Sequence, residues 1–192
     1  MELIIAFLLN GSISILKPET NKLESISNPY EFTQTYECRE PVVDSLEYYI
    51  NEVSHNLGIC PRHLKRVIKI ESGFNLKAYN KSSGAYGLIQ FIPSTRRRLG
   101  ALPISSPQWK TYKYQFYLIE KYFNSIFDMM AITPKEKLKG KTIYLAVFAP
   151  IKIRKNIIYS ESDGALYSWN KVLDYDKNSV ITASDIEAHM GE

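Results

Sequence analysis

Cysteine is almost missing from this chain, with only Cys38 and Cys60 present. They share no CxxC spacing and no histidine pair lies near them, which argues against a zinc site. Whether the two pair in a disulfide stays open, and the compartment cannot be read from them. Long apolar runs are missing too. The stretch Leu3 to Leu9 falls far short of the ~20 residues of a membrane span, so no transmembrane segment is expected. The only charge before it is Glu2, so it also lacks the basic n-region of a secretion signal. Internal repeats and low-complexity tracts are absent. Charge of one sign is scarce: 24 Lys and Arg against 20 Asp and Glu leave a net +4. That mild excess is far from the dense basic footprint of a nucleic-acid binder, and no nucleic-acid partner is expected. It does suit an anionic polymer.

What is present is enough apolar material, 45% of 192 residues, to bury one sizeable core but not two. Fourteen tyrosines supply flat amphipathic faces of the kind that stack on sugar rings, although core and rim filling is the better account of any one of them. At the N-terminus, Ile4 to Leu9 and Ser12 to Leu16 flank Asn10-Gly11, the dipeptide that type I′ turns favour, which predicts a β-hairpin. Lys17 to Tyr36 is rich in Asn, Ser, Thr and Pro and reads as a linker. Residues 1–40 are therefore expected to form a hairpin and linker, an attachment element, ahead of a mostly α-helical domain over 41–192.

In that domain Val43, Leu46, Ile50, Val53 and Leu57 recur at helical spacing before Gly58. Pro61 opens a second helix with Leu64, Val67 and Ile68 as its stripe, and Gly73 closes it. A polar, small-residue segment follows from Asn75 to Ala85. Helical pattern is expected again over Gly87 to Leu99. A longer helix is expected after Ser105-Ser106-Pro107, with Phe116, Ile119, Phe123, Ile126, Phe127 and Met130 on one face, and a short one over Thr142 to Ala149, stopped by Pro150.

Glu71 stands out. It falls three and four positions after Ile68 and Val67, on the buried stripe of the second helix and in its last turn. Desolvation and the negative end of the helix dipole should both raise its proton affinity. A carboxyl that keeps its proton near neutral pH is suited to general-acid work, unless its long stem carries the head group to solvent. It sits at the start of a compact window: Glu71-Ser72-Gly73-Phe74, then Ala78, Asn80, Ser83-Gly84-Ala85, Gly87-Leu88, Gln90 and Pro93-Ser94-Thr95. This window resembles the signature of the soluble lytic transglycosylase family at nearly every marked position.

The resemblance implies a goose-lysozyme-like helical fold acting on peptidoglycan glycan strands. In it, Glu71 would protonate the bond between N-acetylmuramic acid and N-acetylglucosamine and then act as base. Ser72 would hydrogen-bond near the site, Asn80 and Gly84 would contribute to the groove, and Gly87, Leu88 and Gln90 would line it. Gly84 and Gly87 also permit positive φ or a close backbone approach to a sugar. Most glycosidases need two carboxylates. Here no second one accompanies Glu71 in a comparable motif, and by resemblance the substrate's own 2-acetamido group and 6-hydroxyl replace it, giving a 1,6-anhydro product. No cofactor is required.

The family's further motif, Ala-Tyr-Asn-Ala-Gly, is altered here to Tyr144-Leu-Ala-Val-Phe148-Ala-Pro150, a version that resembles phage-associated members and would set Tyr144 beside Glu71. That subgroup implies carriage in a phage virion, with tail proteins bound through the N-terminal segment, and action at the bacterial wall or periplasm. Near the C-terminus Asp174, Asp176, Asn178, Thr182 and Asp185 occupy positions 1, 3, 5, 9 and 12 of an EF-hand-like loop. Ser179 stands where the turn glycine belongs, and Asp185 is shorter than the usual closing Glu. The loop reads either as a weak structural calcium site or as a capped turn with Ser184 starting the last helix. Arg96-Arg97-Arg98 reads as a solvated run. Two other functions remain in competition: a non-catalytic wall-binding or virion structural protein, and a hydrolytic lysozyme.

Overall fold

A computed structural model describes residues 45–133 and 138–191. The expected N-terminal hairpin and linker, and Cys38 with the question of its pairing, lie outside them. Helix α1 (Leu46–Leu57) begins where Ser45 Oγ accepts a hydrogen bond from the Tyr48 amide, and ends at Gly58 in the left-handed region. Helix α2 (Pro61–Ser72) starts with Pro61 in its first turn and ends at Gly73, φ 59°. Both helices keep the predicted apolar stripes: Ile50, Val53 and Leu57 on one, Leu64, Val67 and Ile68 on the other are all buried.

The helix expected over Gly87 to Leu99 shrinks to α3 (Pro93–Arg98). Gly87 and Gln90 adopt φ of 86° and 52°, and Tyr86 bridges to Phe91 in antiparallel fashion, so the chain cannot wind helically before Pro93. The long helix also starts later than expected. Pro107–Lys110 forms a 3₁₀ turn, and Thr111 then caps α4 (Tyr112–Met129) by accepting from the Tyr114 amide. Its aromatic face is as predicted, with Phe116, Ile119, Phe123, Ile126 and Phe127 buried; Met130 is only half-buried, beyond the helix end.

Helix α5 (Gly140–Phe148) is buried on every side from Ile143 onward, as an all-round apolar helix must be. It is the central element: α2 packs on one side of it and α7 on another, while α1 packs between α2 and α4. After Pro150 the chain forms strand β1 (Ile157–Ser160), helix α6 (Ala165–Asn170), strand β2 (Val180–Thr182) and helix α7 (Ala183–Met190). The two strands pair antiparallel, Tyr159 opposite Ile181. This small sheet was not anticipated, because Ile158 and Ile181 are its only fully buried side chains and carry too short a pattern to read. The cap of α7 is Thr182 rather than Ser184: Thr182 and Asp185 form a reciprocal capping box that outcompetes the later serine.

Candidate active site

The last turn of α2 delivers Glu71, and the chain then reverses through two consecutive left-handed residues, Gly73 and Phe74 (φ 69°). A non-glycine residue held there carries backbone strain of about 1 kcal/mol or more, which the surrounding loop must over-determine. That loop, Asn75 to Ile92, is folded back on itself by bridges from Tyr86 to both Tyr79 and Phe91.

The predicted window residues are brought together, but mostly as the framework of this loop. Asn80 Oδ1 accepts from the amides of Ser82 and Ser83, organising the turn. Gly84 (φ 68°) donates its amide to the Asn80 carbonyl at 2.8 Å. Gln90 Nε2 donates to the carbonyls of Ala78 and Gly87. Ser72 Oγ donates back to the Ile68 carbonyl on its own helix. Leu88, expected to line a groove, has a side chain 0% exposed: it anchors the loop in the core, because its amide is drawn inward by Gln115.

Gln115 was not singled out from the sequence, yet it organises the loop from below. This fully buried side chain on α4 accepts from the Leu88 amide at 2.8 Å and donates to the carbonyls of Leu76 and Trp109. Gly87 presses directly on it: a Cβ there would lie 2.5 Å from Gln115 Oε1. The signal was a polar residue one turn ahead of Ile119 on an otherwise apolar stripe. Arg96 likewise departs from the expected solvated run. Its Nη1 donates to the carbonyls of Gly84 and Phe91 and so ties α3 to the loop. Arg98 lies 5.9 Å from the Tyr122 ring centroid, and Arg97 is exposed.

Glu71 as a whole is half-buried, but its Oε1 is sealed from solvent and has no hydrogen-bond partner. Burial pushes its carboxyl from the ordinary 4.5 up to about 8. Two tyrosines feel that carboxyl. Tyr122 on α4 is raised by burial and further by Glu71, against the pull of Arg98; its hydroxyl donates to the Ala146 carbonyl at 2.8 Å. Tyr144 on α5 is raised well above the usual phenol range by burial, then by Glu71, then by Tyr175. Its hydroxyl is buried with no partner. The structure thus brings Tyr144 within electrostatic reach of Glu71. A protonated acid, flanked by phenols that keep their own protons, can give a proton to a leaving oxygen and take one back.

The acidic cluster of the C-terminal loop is a different place. Oxygens of Asp174, Asp176 and Asp185 lie within 4.8 Å of one another and could hold a cation. Each is already engaged. Asp174 accepts from Tyr167 Oη, Ser179 N and Asn178 N; Asp176 from both nitrogens of Asn178; Asp185 from Tyr175 N, Thr182 N and Thr182 Oγ1. Asn178 Oδ1 accepts from Val180 N.

Residues 48–111, about a third of the chain, match the family model of the transglycosylase SLT domain. Among the described residues, the mostly helical architecture with its small two-stranded antiparallel sheet is consistent with a lysozyme-like SLT domain. An SLT domain points to lytic transglycosylase action on peptidoglycan, at the cell wall. Among the described residues no helix is long and apolar enough to cross a membrane.

Proposed function

We propose that this chain is a peptidoglycan lytic transglycosylase in which Glu71 alone serves as acid and then as base at the β-1,4 bond between N-acetylmuramic acid and N-acetylglucosamine. The observation that carries the reading is the solvent-sealed, unpartnered Oε1 of a carboxyl whose proton affinity burial lifts to about 8. At neutral pH such a group is a loaded general acid. It gives its proton to the glucosamine O4 as the bond to muramic acid C1 breaks, while the neighbouring acetamido oxygen closes on C1. The carboxylate then takes the proton of the muramic acid C6 hydroxyl, whose oxygen displaces the acetamido oxygen from C1. Glu71 ends protonated, no water is consumed, and the product carries a 1,6-anhydro end. A second carboxylate is unnecessary because the substrate supplies the nucleophile. The buried hydroxyl of Tyr144 is a donor of the right kind to steady the transient carboxylate.

Digestion of purified sacculi, read by mass spectrometry of the released muropeptides, tests this. Products at the anhydro mass from the wild type, and none from Glu71→Gln, are expected; a reducing-end product would convert the reading to a hydrolytic lysozyme. The Tyr144 to Pro150 motif supports a phage-type enzyme carried in a virion, with residues 1–40 joining it to tail proteins and the wall or periplasm as its place of action. A non-catalytic wall-binding or virion structural role is the second reading. It is favoured by the loss of the Asn and Gly from that motif and by the internal engagement of Ser72, Asn80 and Gln90. Sacculus binding without soluble product would select it.

A further inference from the structure

The C-terminal helix α7 packs against α5, the helix that carries Tyr144. His189 on α7 lies against the Tyr144 ring, centroids 5.3 Å apart, while Phe148 stacks on that ring at 5.6 Å with planes 18° apart. The Tyr144 ring thus meets both its own helix neighbour and an imidazole from the far end of the chain. The imidazole is itself fixed: its Nδ1 shares a hydrogen bond with Tyr175 Oη at 3.0 Å. Its backbone is fixed as well, because Arg66 Nη2 donates to the His189 carbonyl at 3.0 Å. Arg66 stands on α2, the helix whose last turn carries Glu71. A further tie, Lys141 to Glu187 at 2.7 Å, joins α5 to α7. Glu71 and Tyr144 therefore sit on two helices that are both fastened to α7, outside the stretch that matches the SLT model.

We propose that His189 is a positioning residue, which, braced by Tyr175 and Arg66, fixes the Tyr144 ring and closes the dry wall behind Glu71. The inference rests on the reading of Glu71 as the acid. Among the described residues, the charged and titratable groups that act on Glu71 are Tyr122 from α4 and Tyr144 from α5; those around His189 are Arg66, Tyr144 and Tyr175. Burial and the Arg66 guanidinium hold the His189 imidazole below its ordinary value, so it is neutral at neutral pH and acts through shape and hydrogen bonding rather than charge. Shortening it would open a path for water toward Tyr144. Water relieves the desolvation that lifts Glu71, so the proton affinity of Glu71 must fall.

The test is the titration of the Glu71 carboxyl, followed by NMR on protein carrying ¹³C-labelled glutamate, in the wild type, His189→Ala, His189→Asn and Tyr175→Phe. His189→Ala is expected to lower the Glu71 midpoint by ~0.5 to 1 pH unit and to cut kcat on sacculi by about tenfold with little change in KM. His189→Asn, which restores a hydrogen-bonding group, should recover part of both. Tyr175→Phe removes one hydroxyl from a half-exposed ring, leaves folding intact, and should move the midpoint the same way by less. An unchanged Glu71 midpoint in folded His189→Ala and in Tyr175→Phe overturns the proposal. The titration needs no turnover, so a shifted midpoint in a protein that releases no product upholds the positioning role while the enzymatic reading fails.

Discussion

Replacing Glu71 by glutamine should make the protein more stable, and increasingly so as the pH rises. The folded protein holds the Glu71 proton up to about pH 8, whereas the unfolded chain releases it near 4.5. Below 4.5 both states are protonated and the carboxyl costs nothing. Between the two values the folded state binds one proton more than the unfolded state, so stability declines with every step upward. The full gap, at about 1.4 kcal/mol per tenfold change in proton affinity, sets a ceiling of about 5 kcal/mol. Glu71 as a whole is only half-buried, and solvent screening with relaxation around the charge reduces this to an expected ~2 to 3 kcal/mol, about half the ceiling. Glutamine keeps the shape and never ionises. Urea unfolding of wild type and Glu71→Gln at pH 4.5, 6 and 8.5 reads the difference directly. With a slope of about 2 kcal/mol per molar, the midpoints should separate by about 1 M at pH 8.5 relative to their separation at pH 4.5. A separation that stays constant across this range would refute the claim that the carboxyl is held in a dry setting.

Further outcomes follow from the same geometry. Sacculus clearing should persist through neutrality and fall above about pH 8, as Glu71 loses its proton; a fall centred near pH 5 would contradict the burial. Gly87→Ala should destabilise by about 1 to 3 kcal/mol in thermal or urea unfolding, since it combines a φ of 86° with a Cβ 2.5 Å from Gln115 Oε1. Gln115→Leu should cost about 3 kcal/mol by leaving the Leu88 amide and the Leu76 and Trp109 carbonyls without their partner, and hydrogen exchange at Leu88 should accelerate. Millimolar calcium should leave the melting temperature unchanged, because the oxygens of Asp174, Asp176 and Asp185 already accept protein donors; Asp185→Ala should lower it through loss of the α7 cap.

The helices were legible where one amphipathic stripe faces one core. Pro61, Gly58 and Gly73 marked boundaries that the structure keeps, and Glu71 was visible as a carboxyl out of place on an apolar face. The loop from Asn75 to Ile92 was not legible in the same way. Its shape depends on partners far along the chain, Gln115 and Arg96, and its own polar side chains bond to its own backbone, so residue type alone does not say which of them face outward. Leu88 shows the difficulty: its place within the window suggested a groove, but a leucine whose amide is bonded by a core glutamine belongs inside. The coupling of His189 to Tyr144 could not be read at all, because nothing in an eight-residue terminal helix signals which distant ring it will meet.

The span that matches the family stops at residue 111, just short of Gln115. A fragment trimmed to that span would keep the acid and every glycine of the window, yet lose the amide on which Gly87 and Leu88 rest and the helix that carries Tyr144. Any graft of this segment onto another scaffold has to bring α4 and α5 along, or supply a buried amide and a phenol at the same places.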